Sequence, residues 1–385
     1  MKSTIPYVLT LAIAISTLTA CEKDDTDFSA YTNTTSNTST GDDSSSSTSA
    51  GDSLYIAWNG NTVTVTGDKS SYVSASNADV TVNALSDTGT LVLVLSGSTT
   101  DGQLLVYHQM DYTIVLNGVT LHNADGPALN NQCSKALNIE LAEGTTNQLS
   151  DGTAYATQDY DQKGALFSEG EIYFSGEGTL NVTGNTKAAI ASDDFIVVEG
   201  NPTISVTSTA GNGIKVNDGL TINGGSLSIE VSADGARGIR SEAETTITGG
   251  SIVITASGDC VYDSDEQDYS SAACIKSDLL FTMSGGTLTM TATGDGGKCI
   301  NCSQDICFSG GTLTATTTGS NTNGKPKAIK SDTGIILSGG SFTAKVSKSS
   351  ACDNGTDSED PADMLTIQGT PTTKTIEKKS VVVIY

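Results

Sequence analysis

An eleven-residue block recurs seven times in this chain and constrains its fold more than any other feature. Each block opens with a small residue followed by an aliphatic one, and it reaches a Gly eleven residues after the small residue. An apolar residue also stands nine positions after the opening residue in every block. The blocks cover residues 165–176, 189–200, 213–224, 238–249, 274–285, 299–310 and 328–339. Such regular recurrence is typical of a repeat architecture.

The distances between these glycines predict a stacked solenoid. Successive block-ending glycines are 24, 24, 25, 36, 25 and 29 residues apart. One unit of this length with alternating apolar positions cannot bury its own apolar side, whereas stacked copies pair strand on strand about 4.8 Å apart. The sequence therefore predicts an all-β parallel solenoid with turns of about 24 residues. The longer spacings predict insertions near residues 259–273 and 319–327.

The ends of the repeat region show weaker β patterns. Segments 90–95, 113–116, 119–121 and 137–141 alternate like strands, and we expect them to form earlier, divergent coils. The Asn117-Gly118, Asp125-Gly126 and Asp151-Gly152 pairs predict turns between them. Residues 381–385 predict a closing strand that shields the open end of the solenoid.

The N-terminal residues predict export and lipid anchoring. Residues 1–20 contain Lys2 and an apolar run too short to span a bilayer stably. They end in Leu18-Thr19-Ala20-Cys21, which resembles a bacterial lipobox, so we expect Cys21 to carry the lipid. An ordinary signal peptide with an incidental Cys is the alternative. The following Glu22-Lys23-Asp24-Asp25 resembles signals that direct lipoproteins to the outer face of the outer membrane.

Composition separates a tether from a folded domain. Residues 21–53 are rich in Ser, Thr, Asn, Asp and Gly and predict a disordered spacer. Residues 54–385 predict one β-helix domain, which we expect to be a monomer. The formal charge of −25 argues against nucleic acid as a partner, because phosphates need Lys and Arg. It leaves many carboxylates for divalent cations.

Several strings in the chain resemble one family of proteins. These are Leu116-Asn117-Gly118-Val119, the run from Leu141 to Gly152 ending in Leu149-Ser150-Asp151-Gly152, and the repeated Ile-x-Gly-Gly-x-Leu. They resemble the polysaccharide-lyase-like, carbohydrate-binding β-helix family of bacterial surface proteins, over roughly residues 54–345. The resemblance implies a right-handed β-helix, bound calcium and affinity for plant cell-wall polysaccharides, including pectic ones. Many blocks lack the preceding Asp of the family, which puts individual calcium sites in doubt.

Stacking of the blocks predicts an acidic column four positions after each opening residue, which consists of Glu169, Asp193, Asn217, Glu242, Asp278, Ser303 and Asp332. Carboxylates about 4.8 Å apart repel unless a cation lies between them, and Ca²⁺ binds oxygen ligands at such separations. Asp193 and Asp194 on one coil, with Asn217 and Asp218 on the next, form the predicted calcium site. A solvated acidic ridge without a fixed ion is the alternative. The acids at 259, 263, 265, 266 and 268 predict a hydrated loop rather than an ion site.

The same stacking predicts a basic column of Lys215, Arg240, Lys276 and Lys330, interrupted by Asn301. These cations could bind uronate carboxylates, or they could neutralise the adjoining acids. β-Helix pectate lyases use calcium with a Lys or Arg base, so Lys215, Arg240 or Lys276 would serve as the base if the protein were a lyase. A base needs a lowered pKa, which the sequence does not reveal.

Few aromatic residues are available to stack on sugars. We select Tyr262 and Tyr269, because both lie in the longest insertion. The two histidines, His108 and His122, fit no catalytic pattern. The seven cysteines after Cys21 predict buried small residues, although stacked Cys274 and Cys299 could also form a disulfide.

These patterns favour a surface-exposed, calcium-stabilised lipoprotein that binds polysaccharide without catalysis. Two alternatives remain open: a weak calcium-dependent lyase of the pectate type, and a structural adhesin or spacer. The only membrane contact expected is through the N-terminal lipid.

Overall fold

The computed structural model describes residues 53–356, 358 and 360–385. The predicted signal peptide, Cys21 and nearly all of the tether lie outside these residues. The chain is almost entirely β, with 2% helix, and forms a solenoid of about 11 turns of about 25 residues. The predicted parallel solenoid is therefore confirmed. None of the helices among the described residues has the length and hydropathy to cross a bilayer.

The first part of the described chain contains ten strands and a 3₁₀ turn at Ser70–Tyr72. The strands are β1 (Ser53–Asn59), β2 (Thr62–Thr66), β3 (Val73–Ser76), β4 (Asp79–Asn83), β5 (Val92–Thr99), β6 (Leu104–Tyr107), β7 (Tyr112–Asn123), β8 (Leu129–Asn131), β9 (Leu137–Leu141) and β10 (Thr146–Asp151).

The regular coils follow, each contributing three strands. They are β11 (Gly164–Ser168), β12 (Ile172–Gly176), β13 (Thr179–Gly184), β14 (Ala188–Ser192), β15 (Phe195–Val198), β16 (Thr203–Ser208), β17 (Ile214–Val216), β18 (Gly219–Ile222), β19 (Ser226–Val231), β20 (Arg237–Ser241), β21 (Thr245–Ile247) and β22 (Ser251–Ala256). The hairpin β23 (Val261–Asp263) and β24 (Asp268–Ser270) interrupts the coils. They resume with β25 (Ala273–Ser277), β26 (Phe281–Met283), β27 (Thr287–Ala292), β28 (Lys298–Cys302), β29 (Ile306–Phe308), β30 (Thr312–Thr317), β31 (Lys327–Ser331), β32 (Ile335–Leu337) and β33 (Ser341–Val346).

The chain closes with β34 (Cys352–Asp353), α1 (Pro361–Met364), β35 (Leu365–Ile367), β36 (Thr373–Glu377) and β37 (Ser380–Ile384). The predicted closing strand is present: β37 pairs antiparallel with β33 and with β36. At the other end, β1 pairs antiparallel with β2 and parallel with β5. Antiparallel hairpins therefore cover the first coil at β5 and the last coil at β33. These hairpins limit edge-to-edge association of the sheet.

The copies of the block lie in register. On the first face, which runs from β4 through β6, β8, β11, β14, β17, β20, β25, β28 and β31 to β34, Ile214 pairs with Ile239 and Ile239 with Ile275. On the second face, Ile222 pairs with Ile247, and Ile247 pairs with Met283. These side chains are fully buried or nearly so and line the core. The interior is thus a set of columns of apolar side chains, one column for each inward position.

The two glycines of each Gly-Gly pair serve different purposes. The second has positive φ, as in Gly250 (83°) and Gly286 (73°), which favours residues without Cβ. The first needs space: a Cβ on Gly285 would lie 2.1 Å from the Thr248 carbonyl oxygen of the preceding coil. Positive φ is therefore confined to the second member of each pair.

The predicted turn at Asn117-Gly118 is wrong, because both residues lie inside the twelve-residue strand β7. The amide groups of Gly118 and Val119 donate to Asn147 Oδ1 at 2.8 and 2.9 Å. Asn147 is fully buried and belongs to the string that carries the family resemblance. A side-chain acceptor from the next coil therefore holds a local bend here instead of a reversal of the chain.

Candidate functional site

The predicted basic column is present on the first face. Lys215 of β17 pairs in register with Arg240 of β20, which pairs with Lys276 of β25. Asn301 and Lys330 continue the column. All four cations are half-buried, because their alkyl stems lie on the sheet while the charged groups reach its surface.

Each of these cations contacts the acidic column. Lys215 Nζ lies 3.2 Å from Glu242 Oε1, and Arg240 Nη2 lies 2.5 Å from Asp278 Oδ2. Lys276 Nζ lies 3.1 Å from the other Asp278 oxygen, and Lys330 pairs with Asp332. The geometry therefore favours mutual neutralisation of the two columns, which was one of the two interpretations of the pattern.

The predicted calcium residues lie on adjacent coils, as expected. The Asn217 amide donates to Asp193 Oδ1 at 3.4 Å, and Asn217 Oδ1 is buried without a hydrogen-bond partner. Burial, and after it the charge of Asp218, raises the pKa of the Asp194 carboxyl. Asp194 and Asp218 thus repel each other from adjacent coils, and two such carboxylates suit a hard cation. Asp193 is engaged elsewhere, in an ion pair with Lys163.

A second acidic group was missed by the sequence reasoning. Carboxylate oxygens of Asp161, Glu169 and Asp193 all lie within 4.8 Å of one another. Burial, and after it the charge of Asp193, raises the pKa of Glu169. Lys163 Nζ lies 2.8 Å from Asp161 and also pairs with Asp193. The oxygen donors fit calcium, but Lys163 already neutralises part of their charge. Asp161 lies in an irregular loop, where no repeat position could signal it.

The longest insertion forms an antiparallel hairpin in which Tyr262 and Tyr269 are paired across the strands. Their ring centroids are 5.2 Å apart at an angle of 67°. Tyr262 is 54% exposed and Tyr269 is half-buried. An exposed pair of aromatic rings offers an apolar surface with polar edges, suited to stacking against a sugar ring. Asp263 caps the turn, because its Oδ1 accepts from the Asp265 and Glu266 amides.

The other insertion, at 319–327, is fixed by one carboxylate. Asp295 accepts hydrogen bonds from Ser320 Oγ (2.5 Å), the Thr322 amide (2.8 Å) and the Asn323 amide (2.8 Å). The Ser320 hydroxyl contributes most to lowering the pKa of Asp295 to about 2. The Cys260 amide, at the base of the tyrosine hairpin, donates to the Asp295 carbonyl at 2.9 Å. Both insertions therefore meet on the same edge of the solenoid.

An open groove of about 440 Å³ lies on the loop that joins β10 to β11. Tyr155, Tyr160 and Lys187 line it, and Lys187 Nζ lies 5.5 Å from the centre of the Tyr155 ring. The Tyr155 hydroxyl donates to the buried Asp151 carboxylate at 2.7 Å. This loop lies outside the repeat, so the repeat pattern could not predict the groove.

The seven cysteines of the described chain are buried thiols. Cys274 Sγ contacts the Thr291 carbonyl at 3.3 Å, and Cys299 Sγ contacts the Thr316 carbonyl at 3.3 Å. They fill small inward positions, as the sequence favoured, and the alternative Cys274–Cys299 disulfide is not formed.

Comparison with known proteins identifies relatives of this architecture. The model of a family described as carbohydrate-binding domain-containing protein matches residues 76–238 and 229–324. None of the curated proteins matches the chain. A solved structure with a similar fold is the polysaccharide lyase-like protein from C. thermocellum, determined as a gadolinium derivative. It is 24% identical, with a TM-score of 0.54, over 66% of this chain and 96% of that one. At that identity the likeness establishes the fold.

Proposed function

The chain belongs to the family of carbohydrate-binding domain-containing proteins, and from this premise we propose that it binds polysaccharide at the edge of the first face. The observation that carries the proposal is the Tyr262–Tyr269 pair in the hairpin that leads into β25, the strand that contains Lys276. Aromatic rings stack on the apolar faces of sugars, and the neighbouring cations bind hydroxyl or acidic substituents. Plant cell-wall polysaccharide, including pectin, is the ligand class that we propose.

A glycan array with the mature chain tests this proposal. We expect binding to plant cell-wall polysaccharides and a loss of at least tenfold in affinity for Tyr262→Ala, which removes the exposed ring. Tyr55→Ala is the matched control, because Tyr55 is 49% exposed on β1, far along the solenoid. An array without any bound glycan would refute carbohydrate binding and favour a structural spacer.

We propose that the protein does not catalyse cleavage. A lyase base must reach the proton that it removes, whereas the charged groups of Lys215, Arg240 and Lys276 each contact a carboxylate of the acidic column. Incubation with polygalacturonate and calcium should therefore give no unsaturated product detectable by ultraviolet absorbance. Release of such a product would contradict this part of the proposal.

Calcium is proposed as a stabilising ion between coils. The opposed Asp194 and Asp218, supported by Asn217, would hold it through oxygen ligands, and Asp161 with Glu169 offers a second set. At a concentration one hundred times its Kd, a bound ion stabilises the folded state by about 2.7 kcal/mol.

The unfolding temperature should rise with calcium, and the double variant Asp194→Asn with Asp218→Asn should abolish that rise. The control Glu230→Gln removes an exposed acid from another face. A shift that persists without Asp194 and Asp218 would assign the ion to the second set.

We further propose that Cys21 is acylated and anchors the protein to the outer membrane, with the β-helix exposed at the cell surface. Labelling with a lipid precursor in cells should mark the chain, and Cys21→Ser should abolish the label. Protease treatment of intact cells distinguishes surface exposure from the periplasm, because only a surface-exposed domain is digested.

A further inference from the structure

Two cations at the base of the tyrosine hairpin differ from the rest of the basic face. Arg237 and Lys298 are half-buried, and within the part of the chain that the structure describes neither makes an ion pair. Arg237 Nη2 donates to Ser270 Oγ at 2.7 Å, while its buried Nε has no hydrogen-bond partner. Lys298 Nζ donates to Ser271 Oγ.

This arrangement concentrates positive charge in an acidic protein. Of the four neighbouring cations Arg237, Arg240, Lys276 and Lys298, only Arg240 and Lys276 are ion-paired, both with Asp278, although the chain carries a formal charge of −25. A buried charge is costly unless it is paired. Cations that remain unpaired while carboxylates abound elsewhere are therefore suited to an anionic ligand.

The cations and the tyrosines are joined by the chain itself. Tyr269, Ser270 and Ser271 are consecutive, so the aromatic pair and the hydroxyls that hold Arg237 and Lys298 lie within a few ångströms along one segment. In the register of the first face, Ala273 stands between Arg237 and Lys298. Ala273 is buried there, so it places neither a charge nor a polar group between the two cations. The acids of the hairpin lie at its opposite end, in the exposed turn.

We propose that Arg237 and Lys298 form the subsite that recognises the anionic substituent of the bound polysaccharide, a carboxylate or a sulfate ester. Guanidinium groups bind planar carboxylates through parallel hydrogen bonds, and the Arg237 Nη2 that donates to Ser270 Oγ would exchange this hydroxyl for the ligand. Lys298 contributes a point charge two coils further along the register of the first face. This inference rests on the proposed carbohydrate binding and adds the charge class of the ligand and the residues that select it.

Burial disfavours the charged form of both cations, and an anionic ligand would favour it. Burial, and after it the charge of Arg240, lowers the pKa of the Arg237 guanidinium. Burial, and after it the charge of Lys330, lowers the pKa of Lys298 to about 8. Cys260, Asp353 and Lys327 are the other titratable groups that act on Lys298. Binding of an anion should raise the pKa of Lys298, and binding should weaken as the pH rises above about 8.

The experiment compares de-esterified pectin, methyl-esterified pectin and a sulfated glycan by calorimetry, with the mature full chain. Wild type should prefer the two anionic polymers at least tenfold over the esterified one. Arg237→Gln and Lys298→Met should each remove most of that preference, whereas Lys345→Gln, which removes an exposed cation from another face, should retain it. Lys298→Met should unfold at the same temperature as wild type or higher, which excludes misfolding as the cause of any loss.

Equal affinity for esterified and de-esterified pectin, or unchanged preference in both variants, would overturn the inference while leaving carbohydrate binding intact. Monomeric galacturonate tests whether the anion subsite exists even if the protein binds no polysaccharide. If no polymer binds but galacturonate raises the unfolding temperature of wild type and not of Arg237→Gln, the anion subsite stands and the proposed polysaccharide function fails.

Discussion

Arg240 of one coil reaches Asp278 of the next, with its Nη2 2.5 Å from the Asp278 Oδ2, so that this ion pair joins two coils. Lys276 approaches the other oxygen of the same carboxylate at 3.1 Å. The basic and acidic columns therefore hold neighbouring turns together. Because Asp278 joins two cations, it controls how much positive charge the face presents to a ligand.

Asp278→Asn should weaken the fold and strengthen binding of an anionic glycan. Loss of the carboxylate removes two charge-assisted contacts in a half-buried position, at a cost of roughly 1 kcal/mol after allowance for solvent screening. It also releases Arg240 and Lys276, which should raise affinity for de-esterified pectin. Urea unfolding and calorimetry measure the two effects. The control Glu242→Gln releases only Lys215 and should raise the affinity for de-esterified pectin less. An equal gain in affinity would show that the loss of any negative charge on this face has the same effect.

Asp295 should make the 319–327 insertion sensitive to acid. Its folded pKa of about 2 lies below the ordinary value, so its stabilising contribution is complete above about pH 4 and is lost as the pH falls toward 2. Asp295→Asn should cost about 1–3 kcal/mol, because three hydrogen bonds lose their charged acceptor. Limited proteolysis should then cut the insertion first. Resistance equal to wild type at neutral pH would show that other contacts fix the insertion.

Deleting one member of the apolar column should destabilise the solenoid strongly. Ile239 is fully buried between Ile214 and Ile275, and Ile239→Ala should cost about 2–5 kcal/mol through lost burial and the cavity left behind. Val253→Ala, on the exposed side of β22 and 46% exposed, should change stability by less than about 0.5 kcal/mol. Denaturant midpoints measure both. A similar small loss at Ile239 would mean that neighbouring coils collapse into the cavity.

The two kinds of glycine can be separated by substitution. Gly118→Ala places a Cβ in open space at φ 77°, so it should cost only the backbone strain, about 1–2 kcal/mol. Gly285→Ala drives a Cβ to 2.1 Å from the Thr248 carbonyl oxygen of the preceding coil, so it should be clearly more destabilising. Thermal unfolding of both variants tests the order. If Gly118→Ala were the worse, positive φ rather than close approach would be the dominant requirement.

The acidic and basic columns show which parts of the site the sequence predicted. It placed Lys215, Arg240 and Lys276 on one line and Tyr262 and Tyr269 in one insertion, and the structure has both. It left open whether the cations were free or paired, because that depends on which rotamer reaches across to the next coil. The contact of Arg240 with Asp278, 38 residues away, settles the matter for that cation.

The fold itself was determined by the sequence alone, since a repeated apolar pattern can bury its residues only by stacking, and in-register stacking follows from the pleat of each strand. The tertiary structure decided what the insertions do. They carry no repeat, so only folding reveals that Ser270 and Ser271 hold Arg237 and Lys298, or that Asp161 joins Glu169 and Asp193. Charge pairing depends on distances of a few ångströms between distant segments, and a linear pattern does not encode those distances.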